Sequence, residues 1–327
     1  MPSTKTPLIH KVDQDIKNPK PPLVVILGPT AVGKTEIAIQ LAERLDGEIV
    51  SADSRLFYRG MDIGTAKPTP TERARVPHHL MDMANPDQIW SLAVFKHAAH
   101  QTITNIQKCG RLPFLVGGSG QYIHAITEDW DIPPVAPNQR LRKILEEWAE
   151  EIGPLGLHTR LTSLDPQAAE LIDYRNLRRT VRALEVILST GNLFSQQRKL
   201  GKTRYRTLKI GLIRPRAELY ARIDARIQAM LDAGFISEVR NLLQDGYSPA
   251  LPTLSAIGYR EIIAYIEGKI TLDEAVTLIR RYTRVFVRRQ SNWFKSGDPE
   301  IHWFSPTTQT IGEIETCIRS WLDQQVF

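Results

Sequence analysis

The chain has 327 residues, of which 42 % are hydrophobic and 24 % charged, with two cysteines and a formal charge of +6. This composition excludes wholesale disorder, a disulfide framework and a four-cysteine zinc site, and its length suits one large domain or two ordinary ones. No run approaches the ~20 apolar residues of a membrane helix, and the polar first twenty residues lack the apolar core of a secretory signal, so a cytoplasmic protein with a flexible tail over residues 1–20 is expected.

After the tail, Pro22-Leu-Val-Val-Ile-Leu27 is a continuous apolar run that suits a parallel strand buried on both faces. Gly28, Pro29, Thr30, Ala31, Val32, Gly33, Lys34 and Thr35 follow, and residues 36–45 have helical apolar spacing. Strand, glycine loop and helix make the start of a P-loop unit, and the eight loop residues fit G-x-x-x-x-G-K-S/T. The glycines let successive backbone N–H groups point into one concavity at the positive end of the helix dipole. Lys34 supplies a mobile positive charge for a terminal phosphate, and the Thr35 hydroxyl is a hard-oxygen ligand for Mg²⁺. A bound di- or triphosphate is expected.

Residues 48–51 predict a second strand, ending just before Asp53. A P-loop kinase or ATPase usually ends a later strand in an acid that completes the magnesium shell. Here the third strand, residues 112–116, runs into Gly117-Gly-Ser-Gly120, and Asp53 is the acid at a strand end near the loop. A carboxylate there serves equally as magnesium ligand or as a base above the phosphates. A fourth strand is predicted at 207–213. Between the last two strands, a Pro-rich joint at 132–137 and charged helical segments as far as 206 predict an insertion. Residues 217–243, 256–267 and 272–295 are helical in period. The expected fold is α/β: a P-loop NTPase-like core (21–127 and 207–327) with a central parallel sheet and helices on both faces, and an inserted, mostly helical domain (128–206).

Charge is unevenly spread. Residues 172–209 hold ten Lys or Arg against two acids, and residues 278–297 hold six basic residues and no acid. Such segments are the footprint of a phosphate-backbone binder, or else solvated helix faces. Arg280, Arg284 and Arg288 fall at i, i+4 and i+8, where RNA contact and plain solvation weigh equally. His78, His79 and Asp82 read as a structural turn in preference to a metal site. The six tryptophans are scattered, and core or packing roles are expected for most.

The loop at residues 28–35, then Asp53-Ser-Arg-Leu-Phe-Tyr-Arg-Gly-Met-Asp-Ile-Gly-Thr-Ala-Lys-Pro68 and Pro77-His-His-Leu-Met-Asp82, strongly resemble the tRNA dimethylallyltransferase (isopentenyl-tRNA transferase) family. The resemblance continues through Val116-Gly-Gly-Ser-Gly-Gln-Tyr122, Arg182-Ala-Leu-Glu-Val186, Ile257-Gly-Tyr-Arg260 and Arg289-Gln290 with Trp293, in the family's order over roughly residues 22–300. It implies that the P-loop holds dimethylallyl diphosphate with Mg²⁺ and that the alkyl group passes to N6 of the adenosine immediately 3′ of the anticodon. Asp53 matches the family's proton acceptor, Arg226 and Thr30 its diphosphate contacts, and Ser119 stands where a Thr is usual. Implied tRNA contacts are Asp53, Ser54, Arg55 and Leu56; Arg140; Arg178, Arg179, Thr180, Val181 and Arg182; and Ser255, Ala256, Ile257, Gly258, Tyr259 and Arg260. Of these, Arg178, Arg179 and Arg182 share a helix face at i, i+1, i+4 spacing, and the helical insertion is implied to contact the anticodon stem-loop. Ser255 departs from the longer polar side chain of many relatives, and Asn292 from a usual Thr. Two lone cysteines cannot make the zinc finger of the eukaryotic members, so a bacterial-type enzyme is expected, with a monomer as the default oligomeric state. The alternatives are a P-loop kinase of a small metabolite, which would turn over nucleotide triphosphate, and a non-catalytic RNA-binding ATPase.

Overall fold

The structure is a computed structural model that describes residues 20–130, 132, 138–197, 201–307 and 309–324. The expected tail, Lys20 apart, and the Pro-rich joint, Ile132 apart, lie outside them. In chain order the elements are β1 (Pro22–Leu27), α1 (Lys34–Arg44), β2 (Gly47–Ser51), α2 (Pro70–Arg75), β3 (His78–His79), α3 (Leu92–Lys108), β4 (Leu112–Gly117), α4 (Gly120–Thr127), α5 (Gln139–Leu164), α6 (Pro166–Leu171), α7 (Leu177–Thr190), β5 (Arg206–Leu212), α8 (Arg216–Asp232), α9 (Phe235–Gln244), α10 (Tyr259–Ile266), α11 (Leu272–Gln290), β6 (Ile301–Phe304) and α12 (Thr310–Asp323).

Among the described residues, six strands form one sheet in the order β3-β2-β4-β1-β5-β6, every pair parallel. The apolar run of β1 explains its place: Leu23, Val24, Val25, Ile26 and Leu27 are fully buried, as a central strand covered on both faces requires. From β1 the chain crosses past β4 to β2, and from β4 it later crosses past β1 to β5. These crossovers leave in opposite directions, so a crevice opens between the carboxyl ends of β1 and β4, the position where open parallel sheets bind ligands.

The described residues divide into two compact units, one drawn from 20–89, 99–123 and 204–324 and one from 90–98 and 124–203. The smaller therefore takes in part of α3 that the sequence pattern assigns to the core. Its own core gathers Leu145, Leu157, Leu161, Ile172, Val181 and Leu184 from α5, α7 and the turn after α6. Glu185 is completely buried there and accepts from Arg182 at 2.7 Å, Arg142 at 2.9 Å and the Asn138 N–H at 2.7 Å. α5 is kinked where Gly153 leaves the helical region ahead of Pro154.

Several sequence expectations need correction. The helix expected at 217–243 is two, α8 and α9, because Gly234 adopts φ 96° and breaks the run. The helix expected at 256–267 starts only at Tyr259, and that expected at 272–295 ends at Gln290. The short edge strands β3 and β6 carry no sequence signal that predicts them. By contrast, the packing roles expected of most tryptophans hold, without full burial: Trp90, Trp130, Trp303 and Trp321 are half-buried, Trp130 stacked on His124 and Trp321 lying 3.9 Å beneath the Arg206 guanidinium, while Trp148 and Trp293 are exposed.

Candidate active site

The loop after β1 turns into α1 at Gly33, whose left-handed φ of 109° lets the helix begin with its amides facing the loop. The Lys34 ammonium folds back on that loop and donates to the carbonyls of Gly28 at 3.0 Å and Pro29 at 2.8 Å. Gln290, buried at the end of α11, ties the loop to the end of β4: its Oε1 accepts from the Thr30 N–H at 2.9 Å and its Nε2 donates to the Gly118 carbonyl at 3.1 Å. The glycine run after β4 follows from this packing. A Cβ on Gly117 would sit 2.4 Å from the Ala52 carbonyl oxygen, and one on Gly118 would sit 2.4 Å from Nε2 of Gln290. Asp53 leaves β2 immediately beyond that contact, its Oδ1 accepting from the Arg55 N–H at 3.0 Å.

A cavity of about 380 Å³ opens at these strand ends, within the larger unit. Thr30, Lys34, Thr35, Asp53, Ser119 and Arg226 all line it. One wall is the face of α8 bearing Ile223, Arg226, Ile227 and Met230; Ile279, Thr283 and Phe286 of α11 line it too. Burial lowers the Lys34 pKa to about 8; Asp53 partly restores it and Arg226 depresses it further. Burial likewise draws the Arg226 guanidinium below its ordinary value, against the pull of Asp53. Arg226 Nη2 also donates to the Thr65 carbonyl at 3.5 Å. Two desolvated cations beside one carboxylate make a pocket that gains by taking up an anion.

Of the other expected site residues, Ser54, Arg55, Leu56, Ser255, Ala256, Ile257, Gly258 and Tyr259 line the same cavity. Gly28, Pro29, Ala31, Val32 and Gly33 shape the loop without lining it, and Val32 is fully buried. Arg260 stays outside the lining, paired with Glu261 and stacked 4.3 Å over the Tyr282 ring. Arg140, Arg178, Arg179, Thr180, Val181 and Arg182 belong to the smaller unit. There Arg140 and Arg178 are exposed, whereas Thr180 and Val181 are buried in that unit's core and Arg182 is engaged by Glu185. Within the implied contact run 178–182 the helix thus turns the Thr180 and Val181 side chains inward, so any ligand contact at those two positions falls to the backbone.

His79 faces Glu48, and Asp82 binds Lys67 at 2.6 Å and Arg73 at 2.8 Å, so these two are spent on the turn; His78 bonds the Val76 carbonyl at 2.8 Å through Nδ1 and also lines the cavity. Arg284 is held by Asp224 at 2.6 Å, with Arg280 close to the same carboxylate, which favours an internal role over RNA contact for both. Gln290 enters the sequence resemblance only as part of a family motif, with no role, and sequence reasoning passes over the apolar walls from α8 and α11. The signal for them was present: Ile279, Thr283, Phe286 and Gln290 recur at i, i+4, i+7 and i+11, one helical face.

Fold and site define an α/β protein of P-loop type with a cationic, part-apolar cavity at the carboxyl edge of its sheet. The chain belongs to the IPP transferase family, whose model matches residues 56–297. A tRNA dimethylallyltransferase of Roseiflexus sp. (strain RS-1) is 49 % identical over 302 residues, 92 % of this chain and 99 % of its own. One of Dehalococcoides mccartyi is 45 % identical over 93 % of this chain and 94 % of its own. The crystal structure of the tRNA isopentenylpyrophosphate transferase of Bacillus halodurans superimposes with a TM-score of 0.70 at 39 % identity, covering 93 % of this chain and 98 % of that one. A eukaryotic dimethylallyltransferase acting on tRNA gives 0.75 at 25 % identity, covering 92 % of this chain and 77 % of that one. Membership of this family sets aside the small-metabolite kinase. No described helix is long and apolar enough to cross a membrane.

Proposed function

We propose that this chain transfers the dimethylallyl group of dimethylallyl diphosphate to N6 of the adenosine immediately 3′ of the anticodon in tRNA, releasing diphosphate. The observation that carries the reading is the convergence of Lys34, Arg226, Asp53 and Ser119 on one cavity in a member of the IPP transferase family.

The allylic C–O bond breaks and its electron pair stays on the diphosphate, where Lys34, Arg226 and the loop amides meet the growing charge. Bond formation from N6 to the allylic carbon leaves a surplus proton on nitrogen, and the Asp53 carboxylate accepts it. The Ser119 hydroxyl, at the same end of β4, orients the amine. An adenine stacked in the anticodon loop must be extruded to reach Asp53. The smaller unit, through Arg140, Arg178 and Arg179, contacts the phosphates of the anticodon stem-loop, while Ser54 to Leu56 and Ser255 to Gly258 meet the flipped base.

Magnesium fits this chemistry. Thr35 and Asp53 offer hard oxygen donors in one cavity, and no group of three or more acids, histidines or cysteines among the described residues makes a separate cage. That suits an ion held partly by substrate phosphates, with the Thr35 hydroxyl as its protein ligand. Such an ion supplies further neutralisation of the leaving group.

The test is transfer of a radiolabelled dimethylallyl group from its diphosphate to unmodified tRNA, with magnesium, by wild type and Asp53→Ala. Incorporation that collapses in the variant while tRNA binding persists supports the reaction and the role of Asp53. Wild type that labels no tRNA sinks the proposal.

A further inference from the structure

Glu238, on α9, does not line the cavity, yet its carboxylate gathers donors from two segments that do. Oε2 accepts from the N–H groups of Asp62 at 2.9 Å and Ile63 at 2.6 Å. Oε1 accepts from the Gly64 N–H at 3.1 Å and from the Tyr259 hydroxyl at 2.6 Å. Three successive amides turned to one point are a backbone nest of the kind that ordinarily takes an anion, and here the protein fills it with its own carboxylate. The nest is closed tightly: a Cβ on Gly64 would lie 2.1 Å from the Phe235 ring and 2.7 Å from the Tyr259 ring. Tyr259 itself is completely buried.

What lies next to each bonded group gives the carboxylate its consequence. Thr65 follows the nest, lines the cavity, and accepts from Arg226 through its carbonyl. Gly258, Ile257, Ala256 and Ser255 precede Tyr259 and line the cavity as well. We infer that Glu238 is a positioning residue for both substrates: by fixing the 62–65 loop it places Arg226 against the diphosphate, and by fixing Tyr259 it places the 255–258 segment against the base to be alkylated. This rests on the transfer reaction proposed above.

The role requires a carboxylate. A glutamine amide keeps one acceptor oxygen and turns its NH₂ either on the Asp62 and Ile63 amides or on the Gly64 amide beside the Tyr259 hydroxyl, so Glu238→Gln loses at least one bond to the nest in either orientation. Tyr259→Phe removes the tyrosine arm alone and leaves the nest filled. The experiment varies both substrates in steady-state transfer, measures binding of inorganic diphosphate by calorimetry, and records melting curves for wild type and both variants. Glu238→Gln should raise KM for dimethylallyl diphosphate and weaken inorganic diphosphate by about tenfold, the effect of losing one hydrogen bond to a charged group. Tyr259→Phe should raise KM for tRNA by a similar factor, about tenfold, and leave diphosphate affinity unchanged. Lower melting temperatures with both KM values and diphosphate affinity unmoved would make Glu238 merely structural and overturn the inference. If Glu238→Gln does not fold, Tyr259→Phe decides, and an unchanged KM for tRNA overturns it. Failure of wild type to modify tRNA would instead refute the proposed reaction, and calorimetry with inorganic diphosphate would still judge the arm from Glu238 to Arg226.

Discussion

The Lys34 ammonium spends its hydrogen bonds on the carbonyls of its own loop, and burial pulls its pKa from 10.5 to about 8. A bound diphosphate favours the charged form and raises that pKa, so below about 8 Lys34 is protonated free and bound, and its contribution to binding does not change with pH. Above about 8 the free protein gives up the proton that the complex keeps, so diphosphate affinity should fall as pH rises and binding should take up a proton. Calorimetry in buffers of different ionisation heat measures that uptake, and Lys34→Met should abolish it. The same shift acts on stability in the opposite direction: between about 8 and 10.5 the unfolded chain holds more protons at this site than the folded one, so this group's contribution to stability rises with pH. Asp53 is the complementary test. Its removal as proton acceptor should lower kcat by roughly 100- to 10,000-fold, the range of a general base, with tRNA affinity retained. Loss of tRNA binding in parallel with kcat would make Asp53 an anchor for the base instead.

At the scale of elements, the site depends on how closely β2 and β4 approach. Gly117 packs against the Ala52 backbone, and the residues just beyond, Asp53 and Ser119, line the cavity and are the pair proposed to face one amine. Gly117→Ala would place its Cβ 2.4 Å from a carbonyl oxygen that cannot move without parting the strands. The expected loss is ~1–3 kcal/mol of stability, seen in urea titration, with a drop in kcat beyond what the folded fraction explains. A variant that is less stable but turns over normally would show that strand spacing does not set the Asp53–Ser119 geometry. The same packing marks how far sequence reasoning reaches. Strands β1 and β4 are legible because buried parallel strands are written as nearly unbroken apolar runs, and β2 and β5 because their apolar residues still cluster around Glu48 and Lys209. β3 and β6 escape because a short edge strand such as His78–His79 needs only a partner for its backbone and no apolar pattern of its own. The break at Gly234 escapes because the apolar spacing resumes in phase on its far side, and a single glycine is compatible with a helix until its φ is seen.

Across the whole molecule, local sequence carries the P-loop but not the long-range partners of the site. Gln290 reaches Thr30 across 260 residues and Glu238 reaches Asp62 across 176, and no local pattern records such pairings. Basic residues show the same limit. Arg178, Arg179 and Arg182 look equivalent on a helical projection, yet the fold gives Arg182 a buried carboxylate partner, shared with Arg142, and leaves Arg178 exposed. Their effects on RNA binding should therefore differ. Removing one cation from a phosphate lowers the slope of log affinity against log salt by roughly 0.7–0.9 through counterion release. Arg178→Ala in the full chain should lower the slope for tRNA by about that amount and leave the melting temperature unchanged. Arg182→Ala should change the slope less and destabilise the fold, because it removes one of the partners that hold Glu185 in the core. Fluorescence titrations of tRNA over a salt series, paired with melting curves, separate the two effects. Equal slope changes in both variants would mean that Arg182 leaves Glu185 for a phosphate when RNA binds; the fold as it stands predicts that it keeps the carboxylate.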